Sequence, residues 1–129
     1  MRLALDSDPR INLVRRYGNG ELLIGAQLIT RPCIVSPERL QLDWAVSSFE
    51  QLCSLAEAAL SGAIEPLLSL HAGIVLIGAG ASQPLPGSAL RAAFQRRAIA
   101  LECMNLGAAC RTYNILANEQ RPVVAALFP

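Results

Sequence analysis

Residues 73–104, GIVLIGAGASQPLPGSALRAAFQRRAIALECM, decide the fold. The run from Gly73 to Gly80 has no polar face, which is the pattern of a strand covered on both sides. The loop 79–87 carries two prolines and Gly87, and Ser88 is placed to cap a helix over 89–98. Apolar residues return as IALECM, 99–104, the next strand. Strand, helix and strand in about thirty residues make a β-α-β unit. Its two strands lie parallel, and its crossover is right-handed. The centre is therefore an α/β sheet with helices packed on it.

Outward from this unit, Gly107–Asn118 has helical spacing, and PVVAALF, 122–128, is a strand that closes the sheet. Upstream, INLVRRY (11–17) and ELLIG (21–25) flank Gly18-Asn19-Gly20. Asn-Gly is the favoured type I′ hairpin turn, because both central positions need positive φ. A further strand is expected over 27–35, with Pro32 placing it at an edge or bending it. Leu40, Leu42 and Trp44 alternate with Gln41 and Asp43, the pattern of a strand over 40–46. Phe49, Leu52, Cys53, Ala56 and Leu60 then follow helical spacing. Ser47 with Glu50 makes a capping box and Gly62 a stop, so the helix is expected over 48–61. Residues 62–72, with Pro66, form a connection. The hairpin adds antiparallel pairing, so the sheet is mixed or carries a small antiparallel β layer.

The 129 residues make one domain, 1–129, long enough to bury a core without staples. Hydrophobic residues are 53% and charged residues 16%, which excludes disorder, and the net charge of +1 gives no broad footprint for nucleic acid. Arg15-Arg16 and Arg96-Arg97 read as solvated flanks. The longest apolar span, Ala72 to Ala81, is broken by glycines and falls short of the about 20 residues a spanning helix needs, so no transmembrane segment is expected. MRLALDSDPR has the pattern of neither a signal nor a transit peptide, and a soluble, cytoplasmic protein is expected. Cys33, Cys53, Cys103 and Cys110 form no Cys-x-x-Cys, and His71 is remote from them. No metal site and no cofactor are expected, and the thiols are expected to be reduced and packed.

Gly78-Ala79-Gly80-Ala81-Ser82-Gln83 follows its strand as a dinucleotide fingerprint does. Gln83 stands where the third glycine belongs, and Pro84 and Pro86 follow in place of a helix. Parallel strands leave the sheet at one edge, so 78–83 and 104–107 should meet, beside the N-terminus of the last helix. At about 100° per residue, Arg111, Asn114 and Asn118 share one flank of that helix. Leu106, Ala109, Cys110, Tyr113, Leu116 and Ala117 form its core stripe. Gly78, Gly80, Ser82, Gln83, Arg111 and Asn114 are therefore candidates to hold a small anionic ligand, a carboxylate or phosphate. The structural alternative pairs Arg111 with Glu102 or Glu119. No catalytic residue is assigned: nothing places His71 beside a nucleophile, the acids are scattered, and Cys110 lies on the apolar stripe.

VLIGAG (75–80), LECMNLGAACRTYNILANEQRPVVAAL (101–127, with Ala109–Asn114 at its heart) and YGNGELLIGAQLITRPCIV (17–35) with Trp44 carry a family resemblance. They resemble the conserved-hypothetical Mth-type domain family, which includes the mitochondrial complex I assembly factor 3 and the adipogenesis-associated Mth domain-containing protein. The resemblance covers nearly the whole chain. It implies a three-layer α/β domain: a mixed central sheet, helices on one side and the small β layer contributing to the other. Bacterial members are mostly single domains of this length. The resemblance implies no catalytic activity, and its mitochondrial members imply a helper that binds other proteins during assembly. Two departures stand out. Asn105-Leu106 replaces a small polar pair, and Gly78-Ala79-Gly80 replaces Gly-Thr-Gly. Both remove hydroxyl groups and favour structure or binding over acid–base work. The expectation is a non-enzymatic binding or assembly-factor-like protein, its protein partner docking at the strand-exit edge or on the small β layer. The alternative is a small-molecule enzyme or sensor that holds an anion through Arg111 and the glycine loop.

Overall fold

Strand β6 (Ile74–Ala79), helix α3 (Gly87–Gln95) and strand β7 (Ala100–Met104) form the expected unit in the computed structural model, which describes Met1 and residues 10–129. β6 and β7 are parallel, from Ile74 opposite Ala100 to Gly78 opposite Met104. Helix α4 (Leu106–Asn118) then carries the chain back past β6 to β8 (Val123–Phe128). β8 pairs in parallel with the other side of β6. Strand β4 (Cys33–Val35) joins β8 antiparallel, and β5 (Leu40–Gln41) joins β4. The sheet order is β5-β4-β8-β6-β7 and the sheet is mixed.

The two crossovers step in opposite directions along the sheet. A constant right-handed crossover therefore sends α3 and α4 to opposite faces. The core divides accordingly. Val75, Ile77, Val124, Ala126 and Phe128 face α3 together with α1 (Phe49–Ser54) and α2 (Glu57–Leu68). Leu76, Val123, Ala125 and Leu127 face α4 and the small sheet of β1 (Val14–Gly18), β2 (Glu21–Ile24) and β3 (Gln27–Ile29). The alternation along β8 is the period-two signature of a strand buried on both faces. α4 thus shares the side of the small β layer, and the other three helices cover the opposite side.

The hairpin forms as expected. Tyr17 pairs with Leu22 and Gly18 with Glu21, leaving Asn19 (φ 55) and Gly20 (φ 75) as the two turn residues. Elsewhere the boundaries move. The strand expected over 27–35 is two strands in different sheets, separated at Arg31-Pro32, where proline supplies no ladder donor. Only Leu40–Gln41 of the expected 40–46 strand is paired. Trp44 leaves the sheet to bury its ring 5.6 Å from that of Phe128 and to donate Nε1–H to Ala63 O at 2.8 Å. The single helix expected over 48–61 is broken by extended backbone at Leu55 and Ala56. α2 then runs through Gly62 and Pro66 to Leu68. Ser48, not Ser47, is the cap of α1: its Oγ accepts the Gln51 N–H at 3.0 Å, while Gln51 Oε1 accepts the Ser47 N–H at 3.0 Å. α3 starts at Gly87 without a side-chain cap from Ser88.

The chain passes a left-handed, non-glycine residue before each parallel strand: His71 (φ 52), Ala98 (φ 54) and Gln120 (φ 61). After α4, Arg121 N–H donates to Leu116 O and Gln120 N–H to Ala117 O, each at 3.0 Å. This is a Schellman motif with glutamine where glycine is usual. Ala98 does the same after α3, with Ile99 N–H donating to Phe94 O at 3.2 Å.

Candidate functional site

The C-terminal ends of β6 and β7 meet the start of α4, as the parallel topology requires. Asn105 is the only residue between β7 and α4. Its Oδ1 caps the helix by accepting the Ala108 N–H at 2.8 Å, and its carbonyl accepts the Ala109 N–H at 3.0 Å. Leu106 N–H donates to Gly80 O at 3.0 Å. Two of the donors a helix start leaves free, the Leu106 and Ala108 N–H groups, are thus taken by the chain itself, which weakens the anion-binding character of this terminus. Gly78 is required for the same closeness: a Cβ there would collide with Ala109 Cβ and lie 3.2 Å from Leu127 Cδ2. At Gly107 a Cβ would fall 2.7 Å from Tyr17 Oη.

The remaining candidates separate into distinct surroundings. Arg111 is exposed, and its Nη1 donates to Tyr17 Oη at 2.7 Å; the partner is a neutral hydroxyl, neither Glu102 nor Glu119. Tyr17 Oη in turn donates to Met1 Sδ at 3.3 Å. Asn114 does not share the solvent flank of Arg111 and is only 5% exposed. Its Oδ1 accepts the Val14 N–H at 2.9 Å and its Nδ2 donates to Val14 O at 2.8 Å. The amide completes both backbone groups of one β1 residue and fastens α4 to the small sheet. Beside it Tyr113 Oη donates to Asn12 O at 2.7 Å. Burial pushes the Tyr113 hydroxyl up, and pushes the neighbouring thiols of Cys33 and Cys110 up to about 12. Ser82 is exposed in its loop, and Gln83 Nε2 donates to Cys103 O at 3.5 Å.

Among the described residues, four cavities of about 420 to 600 Å³ stand out, and Gly78, Gly80, Ser82, Arg111 and Asn114 line none of these. Gln83 lines one of about 420 Å³, which runs beside β7 between the proline loop and α3 and includes Leu85, Arg91, Phe94 and Leu101. Among the described residues β7 is the last strand of its sheet, paired only with β6. The Gln83 contact shows that the Cys103 carbonyl points away from β6. Cys103 and, two residues back, Leu101 therefore turn their backbone groups to the open side. Leu85 stands at this edge 82% exposed, with a second cavity of about 430 Å³ on its other side. Burial pushes the Cys103 thiol up to about 11, with the nearby Cys53 raising it further, so it stays protonated and a poor nucleophile near neutral pH.

The largest of the four cavities, about 600 Å³, lies at the opposite, N-terminal rim of the parallel strands, where α4 ends and β8 begins. Its lining comes from four separate stretches of chain, including Ser36–Arg39 and Gln120–Val123. No contiguous motif spans them, so the sequence carries no local signal for it. Among the described residues, no three His, Cys, Asp or Glu side chains gather as metal ligands, and no helix is long and apolar enough to cross a membrane.

Comparison with known proteins adds the family. The family described as "Protein of unknown function (DUF498/DUF598)" matches residues 14–128. The chain is 26% identical over 128 residues to a Xenopus tropicalis protein named NADH dehydrogenase [ubiquinone] 1 alpha subcomplex assembly factor 3, covering 99% of this chain and 66% of that protein. The chain thus spans just under two thirds of that relative's length. An NMR structure of a Xanthomonas campestris protein matches with a TM-score of 0.77 at 30% identity, over 98% of this chain and 92% of that one. A Bordetella pertussis protein described as a Mth938-like domain matches with a TM-score of 0.73 at 26% identity, over 100% and 92%.

Proposed function

The chain belongs to the DUF498/DUF598 family of proteins of unknown function, and on that premise we propose that it is a non-enzymatic, assembly-factor-like domain that binds other protein chains in the cytoplasm. Relatives named as assembly factors support the general class. The observation that carries the reading is the free side of β7 with Leu85 exposed beside it. An open strand edge offers backbone donors and acceptors to an added strand, and flanking cavities select its side chains. The partner's contribution is thus an extended segment, laid along Leu101–Cys103, with an apolar side chain against Leu85 and Phe94. Burying a leucine that is now exposed contributes about 1.5–3 kcal/mol, enough to make it an anchor.

The test is affinity capture with the intact protein and a photo-crosslinking residue at Ala100, followed by titration of the purified captured partner. Crosslinks from position 100 and a loss of affinity of about tenfold or more in Leu85→Asp are expected. A partner that binds Leu85→Asp as tightly, or gives no crosslink from position 100, would overturn the β7 assignment.

A second reading has one observation in its favour. The exposed Arg111 guanidinium has a neutral partner, so its charge is not compensated there by a carboxylate. A small anion held by Arg111 with the exposed loop residues Gly80, Ser82 and Gln83 would use that charge; Gly78 and Asn114, committed to packing and to Val14, would not take part. Titration with inorganic phosphate, monitored at Gly80 and Arg111 amides, tests it; a response equal in wild type and Arg111→Ala removes it.

A further inference from the structure

The cavity at the N-terminal rim has an apolar floor and an unequal set of charges. Ile11, Leu70, Ala72, Pro122 and Val123 supply the floor. Arg39 and Arg121 line it from two different segments, against the single carboxylate of Glu38. Neither guanidinium makes a hydrogen bond or ion pair with the described residues. The volume of about 600 Å³ lies in the range of small-molecule sites.

Both arginines stand on fastened backbone. Ser36 N–H donates to Arg39 O at 2.8 Å, and Arg39 N–H reaches Ser36 Oγ at 3.1 Å. Asn12 pins the same turn, its N–H donating to Pro37 O at 2.8 Å and its Nδ2 to Ser36 O at 3.1 Å. Arg121 is held by its N–H on Leu116 O at 3.0 Å, and Pro122 O accepts the Gly73 N–H at 3.1 Å. Such anchoring lowers the ordering cost of binding. The negative end of α4 points at the same rim and opposes an anion. Its Ile115, Leu116 and Ala117 carbonyls already accept the N–H groups of Glu119, Arg121 and Gln120, which reduces that opposition. Gln120 adds a side-chain amide to the wall from a backbone conformation that glycine would hold more easily.

We propose that this cavity binds a small amphipathic monoanion, its apolar body on the Ile11–Leu70–Val123 floor and its charged head between Arg39 and Arg121. The proposal does not rest on the protein-binding reading. Sodium octanoate is the probe, titrated into the isotope-labelled chain by NMR, with octylamine as the oppositely charged control. The expected result is saturable shifts centred on Ala72, Ala117 and Val123, with octylamine bound at least about tenfold more weakly. Replacing both arginines (Arg39→Gln with Arg121→Gln) leaves their backbone hydrogen bonds in place and should weaken octanoate about tenfold or more. Shifts scattered over the surface, equal binding of octylamine, or undiminished binding by the folded double variant would each overturn the proposal. The wild-type comparison of the two probes decides the matter even if the variant does not fold.

Discussion

The two rims of the parallel strands are built in opposite ways. At the C-terminal rim a single residue, Asn105, joins β7 to α4, and the helix start is pulled onto the sheet. Gly78 and Gly107 let atoms approach where a Cβ would not fit, and the first donors of α4 are taken by Asn105 and Gly80. At the N-terminal rim the joins into β6 and β8 are looser than this one-residue join: residues 69–73 lead into β6 and 119–122 into β8, and at the C-terminal rim only the β6–α3 loop, 80–86, is long. That looser join leaves the largest of the four cavities, with two guanidiniums on its wall that pair with none of the described residues. Ligands in open parallel sheets favour the C-terminal rim because helix N-termini and loop backbone gather there. The comparison teaches that this preference depends on slack. Where the loop shrinks to one residue, the chain uses those donors to hold itself together.

The largest test of the closed rim is Asn114→Ala. It strips partners from the N–H and the C=O of Val14 together. Buried and unpaired, they should cost about 3 kcal/mol, read as a lower urea midpoint with an unchanged slope. A loss under about 1 kcal/mol would mean that water reaches Val14 and that α4 is not locked to β1. Next comes Gly78→Ala. The collision with Ala109 should destabilise by about 2 kcal/mol through overpacking. Ala109→Gly on the same chain relieves the contact and should restore part of that loss. Failure of the second change to restore any stability would show that the glycine serves its backbone and not the helix approach.

How much of this was legible in the sequence follows from the range of each interaction. The β-α-β unit, the Asn19-Gly20 turn and the Ala109–Cys110–Tyr113–Leu116–Ala117 stripe are local patterns, and the structure places them as expected. The break at Leu55–Ala56 carries no glycine or proline to announce it, while Gly62 and Pro66, which look like breakers, lie inside α2. Pro32 signals an interruption but not that its two sides join different sheets. Asn114 is the sharpest case. Its polarity points to solvent, yet its partner stands a hundred residues away on a strand that only the fold brings near. The cavity is likewise assembled from separate stretches and leaves no pattern, whereas the spacing of the glycine loop is contiguous and visible in the sequence.

A smaller change probes the open rim. Gln120→Gly relieves a left-handed L-residue and should stabilise the protein by about 0.5–1 kcal/mol, the gain being reduced by the greater freedom of glycine when unfolded. It also removes an amide from the cavity wall. A rise in melting temperature together with weaker octanoate binding would mark Gln120 as a residue that exchanges stability for a site. Stabilisation with unchanged binding would make its left-handed cap independent of the cavity.

The smallest expected effect belongs to Arg111→Ala, and it bears most directly on the contrast between the rims. The side chain is exposed, and its one described hydrogen bond goes to the neutral Tyr17 hydroxyl. Exposed interactions of this kind contribute well under the value of buried ones, so the loss should stay below about 1 kcal/mol. A cost as large as that of Asn114→Ala would make Arg111 part of the lock between α4 and β1, and the C-terminal rim would be closed by its charged flank as well as by its buried one. Unchanged stability joined to the loss of a phosphate response would do the reverse. The helix would then still offer charge outward, and the C-terminal rim would hold ligand despite its short loop. The two outcomes differ because a structural arginine is felt in the unfolding equilibrium with no ligand present, whereas a ligand-holding one is felt only when the anion is added.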